Sequence, residues 1–144
     1  MKVKDIMTKN VACVGTEDTI GQAAQMMKQY HVGSLPVCKR KKVVGMVTDR
    51  DITLRSTAGG QDSESRKVSS VMSSNPVVGN PEMEIGEAAK IMSQQQIRRL
   101  PIVEKDNLVG IVALGDISIA PAMQNSAGQA LNGISQPGER IYGD

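Results

Sequence analysis

The 144-residue chain has few of the residues on which many binding sites depend. It has no tryptophan or phenylalanine, and its only aromatic residues are Tyr30 and Tyr142. Stacking on aromatic rings, the usual way of holding single-stranded nucleic acid, is therefore unavailable. A ligand that carries a heterocyclic base would have to lie between aliphatic and thioether surfaces.

Cysteine and histidine are equally scarce. Cys13, Cys38 and His31 do not form a metal-ligand spacing, and two cysteines are too few for a disulfide framework. We therefore expect two thiols in the core and no metal site. Asp49 and Asp51 are not accompanied by a nucleophile–base pair, so the sequence predicts that the chain is not an enzyme.

Long apolar runs and a strong net charge are also missing. No stretch approaches the roughly 18 apolar residues of a membrane span, and the first ten residues lack the apolar core of a signal peptide. We therefore expect a cytoplasmic protein without membrane contact. The formal net charge is +2, from 17 basic and 15 acidic residues, and does not by itself favour nucleic acid as a partner.

An internal repeat is the main feature that the sequence does contain. "VKDIMTKN" (3–10) matches "VSSVMSSN" (68–75) at an offset of 65 residues. The same offset places "IGQAAQMM" on "IGEAAKIM", "LPV" on "LPI" and "GMVTDRDI" on "GIVALGDI". Because all four matches share one register without a gap, they indicate a tandem duplication.

Each copy predicts the element order β-α-β-β-α. Apolar residues at helical spacing predict an amphipathic helix in each copy, and "LPV" or "LPI" opens a strand, a polar turn and a second strand. The second helix is expected to begin near Asp49 in copy one and near Gly115 in copy two. A short strand, at Val11–Val14 or at Val77 and Val78, is expected before the first helix.

The repeat also sets the predicted boundaries. Copy one is assigned to residues 1–60, a linker to 61–67 and copy two to 68–123. The linker lies in "STAGGQDSESRK", which is rich in glycine, serine and charge. Residues 124–144 are expected to form a short helix from Ser126 and a flexible tail.

Two copies of this order, each with an "LPV"-like strand and with a "G-apolar-V-T-x-x-D" strand end in copy one, resemble a tandem pair of CBS domains, the cystathionine β-synthase motif. The resemblance covers about residues 1–120. It implies an α/β (α+β) fold with two repeats packed about a pseudo-twofold axis, and a homodimer. It also implies a regulatory or sensor module that binds an adenosine-containing ligand such as AMP, ADP or ATP in clefts between the repeats. No other cofactor is implied, and the downstream protein partner is not identified.

Thr48 and Asp51 at the end of "GMVTDRDI" have two interpretations. They can form a capping box, in which each side chain bonds the backbone N–H of the other residue. Alternatively, Asp51 accepts the hydroxyl groups of a ribose while Thr48 and free helix N–H groups bind ligand oxygens. Copy two has Ala113 in place of the threonine but keeps Asp116, which favours a ligand role. A carboxylate is also stabilised by the helix dipole alone, so both interpretations stay open.

Basic residues near the cleft are candidates for phosphate binding. Arg98 and Arg99 stand where copy one has Gly33 and Ser34, and planar guanidinium groups suit phosphate oxygens. In nucleotide-sensing CBS proteins, basic residues just before the "LP" strand contact phosphates. The alternative interpretation is that the two arginines are solvated at the end of a helix, where the helix dipole favours them. The predicted ligand-binding residues are Thr48, Arg50, Asp51, Asp116, Arg98, Arg99, Val11, Val77, Ser34, Pro36, Met46, Pro101 and Ile111.

An interaction module without a bound nucleotide is the alternative function. It would use "KRKK" (39–42) and "RR" (98–99) to contact a protein or nucleic acid. Four basic residues at a hairpin tip are typical of a solvated turn, and nucleic acid is disfavoured by the lack of aromatic residues. Within the nucleotide-binding interpretation, we expect the cleft of Asp51 to bind more tightly than that of Asp116, unless Arg98 and Arg99 project into the latter.

Overall fold

The computed structural model describes residues 1–60, 62, 64–119 and 124–136. The strands are β1 (Val14–Gly15), β2 (Ser34–Lys39), β3 (Lys42–Thr48), β4 (Ser73–Ser74), β5 (Arg99–Glu104) and β6 (Asn107–Ala113). The helices are α1 (Ile20–Tyr30), α2 (Asp49–Ile52), α3 (Ile85–Gln95), α4 (Leu114–Ser118) and α5 (Gln124–Ser135). A π-helical turn, Thr53–Thr57, continues α2. The predicted tail lies outside the described residues from 137 onwards, as do residues 120–123 at the end of copy two.

The predicted mixed fold of two β-α-β-β-α units is confirmed, with small shifts in its elements. The short strand is Val14–Gly15 rather than Val11–Val14, and Val77 and Val78 are not in a strand. Instead, Gly79 forms an isolated parallel bridge with Ile102. The apolar residues in these two segments favoured a strand. The left-handed backbone at Asn10 and Asn75 turns the chain just before them, so strand pairing begins a few residues later. Helix α4 begins at Leu114, and α5 begins two residues before the predicted Ser126.

The two hairpins, β2–β3 and β5–β6, have matching registers. Ser34 pairs with Thr48 in the first hairpin, and Arg99 pairs with Ala113 in the second. Each hairpin turns through two residues with positive φ, as a type I′ turn requires, at Arg40-Lys41 and Lys105-Asp106. This register brings the start of one strand beside the start of the helix that follows the other.

Each copy contributes the segment that completes the core of the other copy. Val3, from the start of copy one, is fully buried in the cluster of copy two. Val68 and Val71, from the start of copy two, are fully buried in the cluster of copy one. Backbone pairing follows the same exchange, since Thr8 bridges to Ile111 in β6 and β4 pairs with β3. The two copies therefore share their cores.

Gly45 and Gly110 allow these exchanged segments to cross the hairpins. A Cβ on Gly45 would lie 2.7 Å from both Met72 Sδ and the Ser73 carbonyl oxygen. A Cβ on Gly110 would lie 2.6 Å from Met7 Sδ and 3.0 Å from the carbonyl oxygen of Thr8. The glycine of the repeated "G-apolar-V" motif is thus required by close backbone approach.

Helix α5 covers copy two, and copy one has no counterpart to it among the described residues. Ala89 on α3 is 3% exposed, whereas its equivalent Ala24 on α1 is exposed. The contact is close, because a Cβ on Gly133 of α5 would overlap Ser93 of α3. The two copies therefore differ in the surface that their first helices present. None of the helices in the described ranges is long and apolar enough to cross a membrane.

The prediction that both cysteines lie in the core is half wrong. Cys38 is buried, but Cys13 is exposed. The reason is the position of β1: Val14 is 1% exposed and fills the core, so its neighbour Cys13 lies on the outer side of the short strand. No group of three potential metal ligands occurs in the part of the chain that the structure describes.

Candidate ligand-binding cleft

A cleft of about 740 Å³ lies between the two copies, within the range of about 300–1,000 Å³ that is usual for small-molecule sites. Copy one supplies one wall from the start of β2, the end of β3 and the start of α2. Copy two supplies the other wall from the segment before α3 and the residues around the start of β5. The lining residues are Gly33, Ser34, Met46, Thr48, Asp49, Arg50, Asp51, Ser73, Ser74, Asn75, Pro76, Val77, Gln96, Ile97, Arg98, Arg99 and Pro101.

Thr48 and Asp51 form the predicted capping box at the start of α2. The backbone N–H of Thr48 donates to Asp51 Oδ2 at 2.9 Å. In return, the backbone N–H of Asp51 donates to Thr48 Oγ1 at 3.0 Å. The cap fixes both side chains at the edge of the cleft.

The capping box does not use all the acceptor sites of Asp51. Its second oxygen, Oδ1, has no hydrogen-bond partner among the described residues, and Arg55 Nε lies 3.9 Å away. The side chain is 15% exposed, so it remains accessible from the cleft. A carboxylate offers about four lone-pair sites, and the cap occupies one of them. Capping and ligand binding by Asp51 are therefore compatible.

Three arginines line the same cleft as this carboxylate. Arg98 and Arg99 come from copy two, opposite the wall that contains Asp51, and Arg50 comes from α2 itself. Asp49 is held at the helix start, where its N–H donates to the Gly33 carbonyl at 2.9 Å and its Oδ1 accepts the Arg50 N–H at 2.8 Å. The cleft thus combines cations from both walls with the carboxylates of copy one.

The apolar part of the cleft consists of aliphatic and thioether side chains, as the lack of aromatic residues led us to expect. Met46, Val77 and Pro101 were predicted, whereas Pro76 and Ile97 were not. The predicted ligand-binding residues also omitted five polar lining residues, Asp49, Ser73, Ser74, Asn75 and Gln96. The signal for Asn75 was present, because the repeat places it on Asn10, and both asparagines have φ near +55° in the left-handed region.

The second cleft, related to the first by the 65-residue offset, is much smaller. Its volume is about 200 Å³. The predicted residues Val11, Ser34, Pro36, Arg99 and Ile111 line it, together with Thr8, Asn10, Ala12, Tyr30, Val32 and Leu35. Arg99 takes the place that Ser34 has in copy one, so a long side chain lines both clefts.

Asp116 does not line either cleft between the copies. Its Oδ2 accepts the backbone N–H of Ala113 at 2.9 Å, which is one half of a capping box, since alanine offers no return acceptor. A separate cavity of about 570 Å³ lies beside its helix, with α5 as one wall and Arg98 and Arg99 on the other. The structure therefore brings Arg98 and Arg99 together with Asp51 and leaves Asp116 outside that group.

Comparison with known proteins identifies the family. The CBS domain family matches residues 3–56 and again residues 68–122. The chain is a tandem CBS-domain protein. The matches follow the repeat and confirm the resemblance seen in the sequence.

Several relatives of this CBS pair match it over nearly their whole length. The "CBS domain-containing protein YhcV" of Bacillus subtilis is 53% identical over 133 residues, which are 92% of this chain and 94% of that protein. The crystal structure of Hypoxic Response Protein I with two coordinated zinc ions is 33% identical, covers 83% of this chain and 98% of that one, and superposes with a TM-score of 0.78. The CBS domain pair of protein MJ0100, solved with 5′-methylthioadenosine and S-adenosyl-L-methionine, is 26% identical with a TM-score of 0.73, covering 86% of this chain and 98% of that one.

Proposed function

We propose that this CBS pair is a regulatory module that binds an adenine nucleotide in the 740 Å³ cleft. The observation that carries the proposal is Asp51, whose Oδ1 has no hydrogen-bond partner among the described residues and which lines a cleft that also contains three arginines. A carboxylate that is fixed by its helix cap and has an unused oxygen is suited to accept a pair of ribose hydroxyls. The adenosyl ligands of the MJ0100 pair support this ligand class.

The arginines favour a phosphorylated ligand over an uncharged adenosyl compound. Arg98 and Arg99 lie across the cleft from Asp51, so a ribose held by the carboxylate leaves its 5′ substituent free to reach them. Guanidinium groups bind phosphate oxygens in pairs, and such charge-assisted bonds are worth about 1.5–3 kcal/mol. AMP, ADP or ATP is therefore the proposed ligand.

Regulation would follow from the position of the cleft between the copies. A ligand that contacts α2 of copy one and β5 of copy two stabilises the arrangement in which both sets of contacts exist. We also propose a homodimer, because copy one leaves Ala24, Tyr30 and Leu54 exposed on its helical segments, whereas Ala89, the equivalent of Ala24 in copy two, is only 3% exposed. Light scattering at micromolar concentration should give twice the chain mass, and a monomer would contradict the dimer.

The nucleotide is tested first by asking what the purified protein carries. With two tyrosines and no tryptophan, the protein absorbs weakly in the near ultraviolet, so a bound adenine compound is conspicuous. Mass spectrometry of the small molecules released on denaturation identifies it. Titration calorimetry of the stripped protein with AMP, ADP, ATP, adenosine and S-adenosylmethionine then ranks the candidates.

Asp51→Asn is the decisive variant. Losing charge-assisted bonds to two hydroxyls should weaken AMP binding by about 1.5–3 kcal/mol, or more than tenfold. A 2′-deoxy nucleotide should bind the wild type poorly and lose less on mutation, because one paired group is already absent. Asp116→Asn is the matched control and should leave affinity unchanged. If Asp51→Asn lowers the melting temperature but not the affinity, Asp51 is a helix cap alone.

A further inference from the structure

Helix α5 is fastened to copy two by a residue that also lines the larger cleft. The side chain of Gln96 donates through Nε2 to the carbonyl oxygen of Gly133 at 3.3 Å and to that of Gln136 at 3.2 Å. These carbonyls belong to the last turn of α5 and to the residue that follows the helix. Gln96 is also one of the residues that line the cleft of about 740 Å³. It therefore connects the end of α5 to the wall of the cleft.

Two arginines of the same segment lie between the cleft and α5. Arg98 and Arg99 line the cleft, and they also line the separate cavity of about 570 Å³ that has α5 as its other wall. The carbonyl of Arg98 accepts the N–H of Leu114 at 2.8 Å, which joins the segment to the start of α4. Residues 96–99 thus form a wall that the cleft and the α5 cavity share.

Apolar contacts hold α5 in place. Ala127, Ala130 and Ile134 are at most 7% exposed and belong to the same hydrophobic cluster as the buried residues of α3. A helix of 12 residues is only marginally stable in water by itself, so α5 depends on this packing. A molecule in which α5 leaves α3 should therefore also lose the helix, and amide hydrogen exchange of α5 reports how often this happens.

We propose that α5 is a strap that holds residues 96–99 in the arrangement that binds the nucleotide, so that packing of α5 and binding in the cleft stabilise each other. The inference rests on the nucleotide site proposed above. The structure combines a packed α5 with a cleft of the usual size for a small molecule, and a ligand shifts the population towards the arrangement that it binds. The coupling is reciprocal: the factor by which release of α5 weakens nucleotide binding equals the factor by which the nucleotide suppresses that release.

Copy one supplies the matched position for a control. His31 stands 65 residues before Gln96, and both residues end their helices in the left-handed conformation, with φ of 55° and 56°. The described residues include no helix that covers α1 as α5 covers α3. The backbone at this position is therefore a feature of the repeat, whereas the bonds to α5 belong to copy two.

Two substitutions within α5 test the strap. Gly133→Ala adds a Cβ that would overlap Ser93 Oγ and lie 2.7 Å from Ser93 Cβ, so it should release α5. Gly128→Ala makes the same change where nothing lies within 4 Å, and both changes favour the helix equally. By calorimetry, we expect Gly133→Ala to bind AMP about fivefold more weakly than Gly128→Ala. Saturating AMP should slow amide exchange in wild-type α5 by a similar factor.

Hydrogen exchange of the ligand-free protein supplies measurements that need no nucleotide. Amides of residues 96–99 should exchange faster in Gly133→Ala than in Gly128→Ala, because the strap no longer holds them. Gln96→Ala removes both bonds to the end of α5 and should speed exchange of α5 about fivefold. His31→Ala, at the equivalent position of copy one, should leave α5 unchanged.

The outcomes separate this inference from the proposed function. If AMP binds Gly133→Ala and Gly128→Ala equally well although α5 exchanges fast in the first, the strap is wrong and the nucleotide site stands. If the wild type binds no nucleotide, the proposed function fails, and the ligand-free exchange of residues 96–99 decides whether α5 holds the wall. Unchanged exchange of these residues in Gly133→Ala, or of α5 in Gln96→Ala, would overturn the strap.

Discussion

The two clefts of this CBS pair have almost the same backbone and very different volumes. Strand registers, left-handed residues and exchanged segments all repeat at the 65-residue offset, yet one cleft measures about 740 Å³ and the other about 200 Å³. Ser34 and Arg99 line both clefts, whereas the polar residues from Thr48 to Asp51 at the start of α2 line only the larger one. The duplicated backbone thus supplies two positions for a ligand, and only one of them is both roomy and lined by the start of a helix.

The largest effect should come from the glycines that the two copies share. Gly45→Ala places a Cβ 2.7 Å from a backbone oxygen, and Gly110→Ala places one 3.0 Å from its counterpart. Because backbone moves less readily than a methionine tip, we expect Gly45→Ala to cost about 2–3 kcal/mol and Gly110→Ala about 1–2 kcal/mol of unfolding free energy. Urea denaturation of both variants measures the difference. Equal losses of unfolding free energy would show that both glycine positions tolerate an added methyl group equally well.

Arg98→Ala tests the cation-rich wall of the larger cleft. The variant should weaken AMP binding by about 1–2 kcal/mol, or five- to thirtyfold, and leave adenosine binding nearly unchanged, because adenosine has no phosphate. Calorimetry at a fixed salt concentration compares the two ligands. Equal losses for AMP and adenosine would mean that Arg98 shapes the cleft and does not bind phosphate.

Exchanging the capping residues Thr48 and Ala113 should destabilise copy one and stabilise copy two by a small amount. Thr48→Ala removes one half of the capping box and should cost about 1 kcal/mol, because the Asp51 N–H loses its acceptor. Ala113→Thr should add a similar bond to the Asp116 N–H and stabilise copy two by about 0.5–1 kcal/mol. Thermal melts of each single variant and of the pair measure both changes. A destabilising Ala113→Thr would show that copy two has no room for the hydroxyl.

The smallest effect concerns two acid-sensitive ion pairs at equivalent positions. Glu82 accepts from Lys2 and Lys4 at 2.6 and 2.9 Å, and these bonds lower its pKa from 4.5 to about 2. Glu17 accepts a hydrogen bond from Lys67 alone, and this bond also lowers the pKa of Glu17. Since the folded pKa is depressed, the stabilisation from Glu82 is present above about pH 4.5 and is lost as the pH falls towards 2.

These pairs are exposed, so their contribution should be small and sensitive to salt. NMR titration of the glutamate carboxyl groups should give a lower midpoint for Glu82 than for Glu17. Glu82→Gln should flatten the acid side of the stability profile more than Glu17→Gln does. A reversed order of the two midpoints would contradict the pairing described here.

The sequence predicted the elements of the fold and most of the cleft, because both follow from local patterns and from the repeat. Thr48 and Asp51 are near neighbours in the chain, so their capping geometry could be inferred. The contact of Arg98 and Arg99 with the cleft of Asp51, and the exclusion of Asp116, depend on how the copies pack and have no local signal.

The exchanged segments determine when this protein can fold. The N–H of Val3 finds its acceptor, the Met83 carbonyl, eighty residues further along the chain, so the start of copy one can be ordered only after that part of copy two has been synthesised. Copy one, in turn, lacks Val68 and Val71 until copy two has begun to emerge. A chain with one copy alone could complete its core only by exchanging this segment with a second molecule. The duplication joined the two copies in one polypeptide. The exchange of segments is therefore intramolecular and no longer depends on protein concentration.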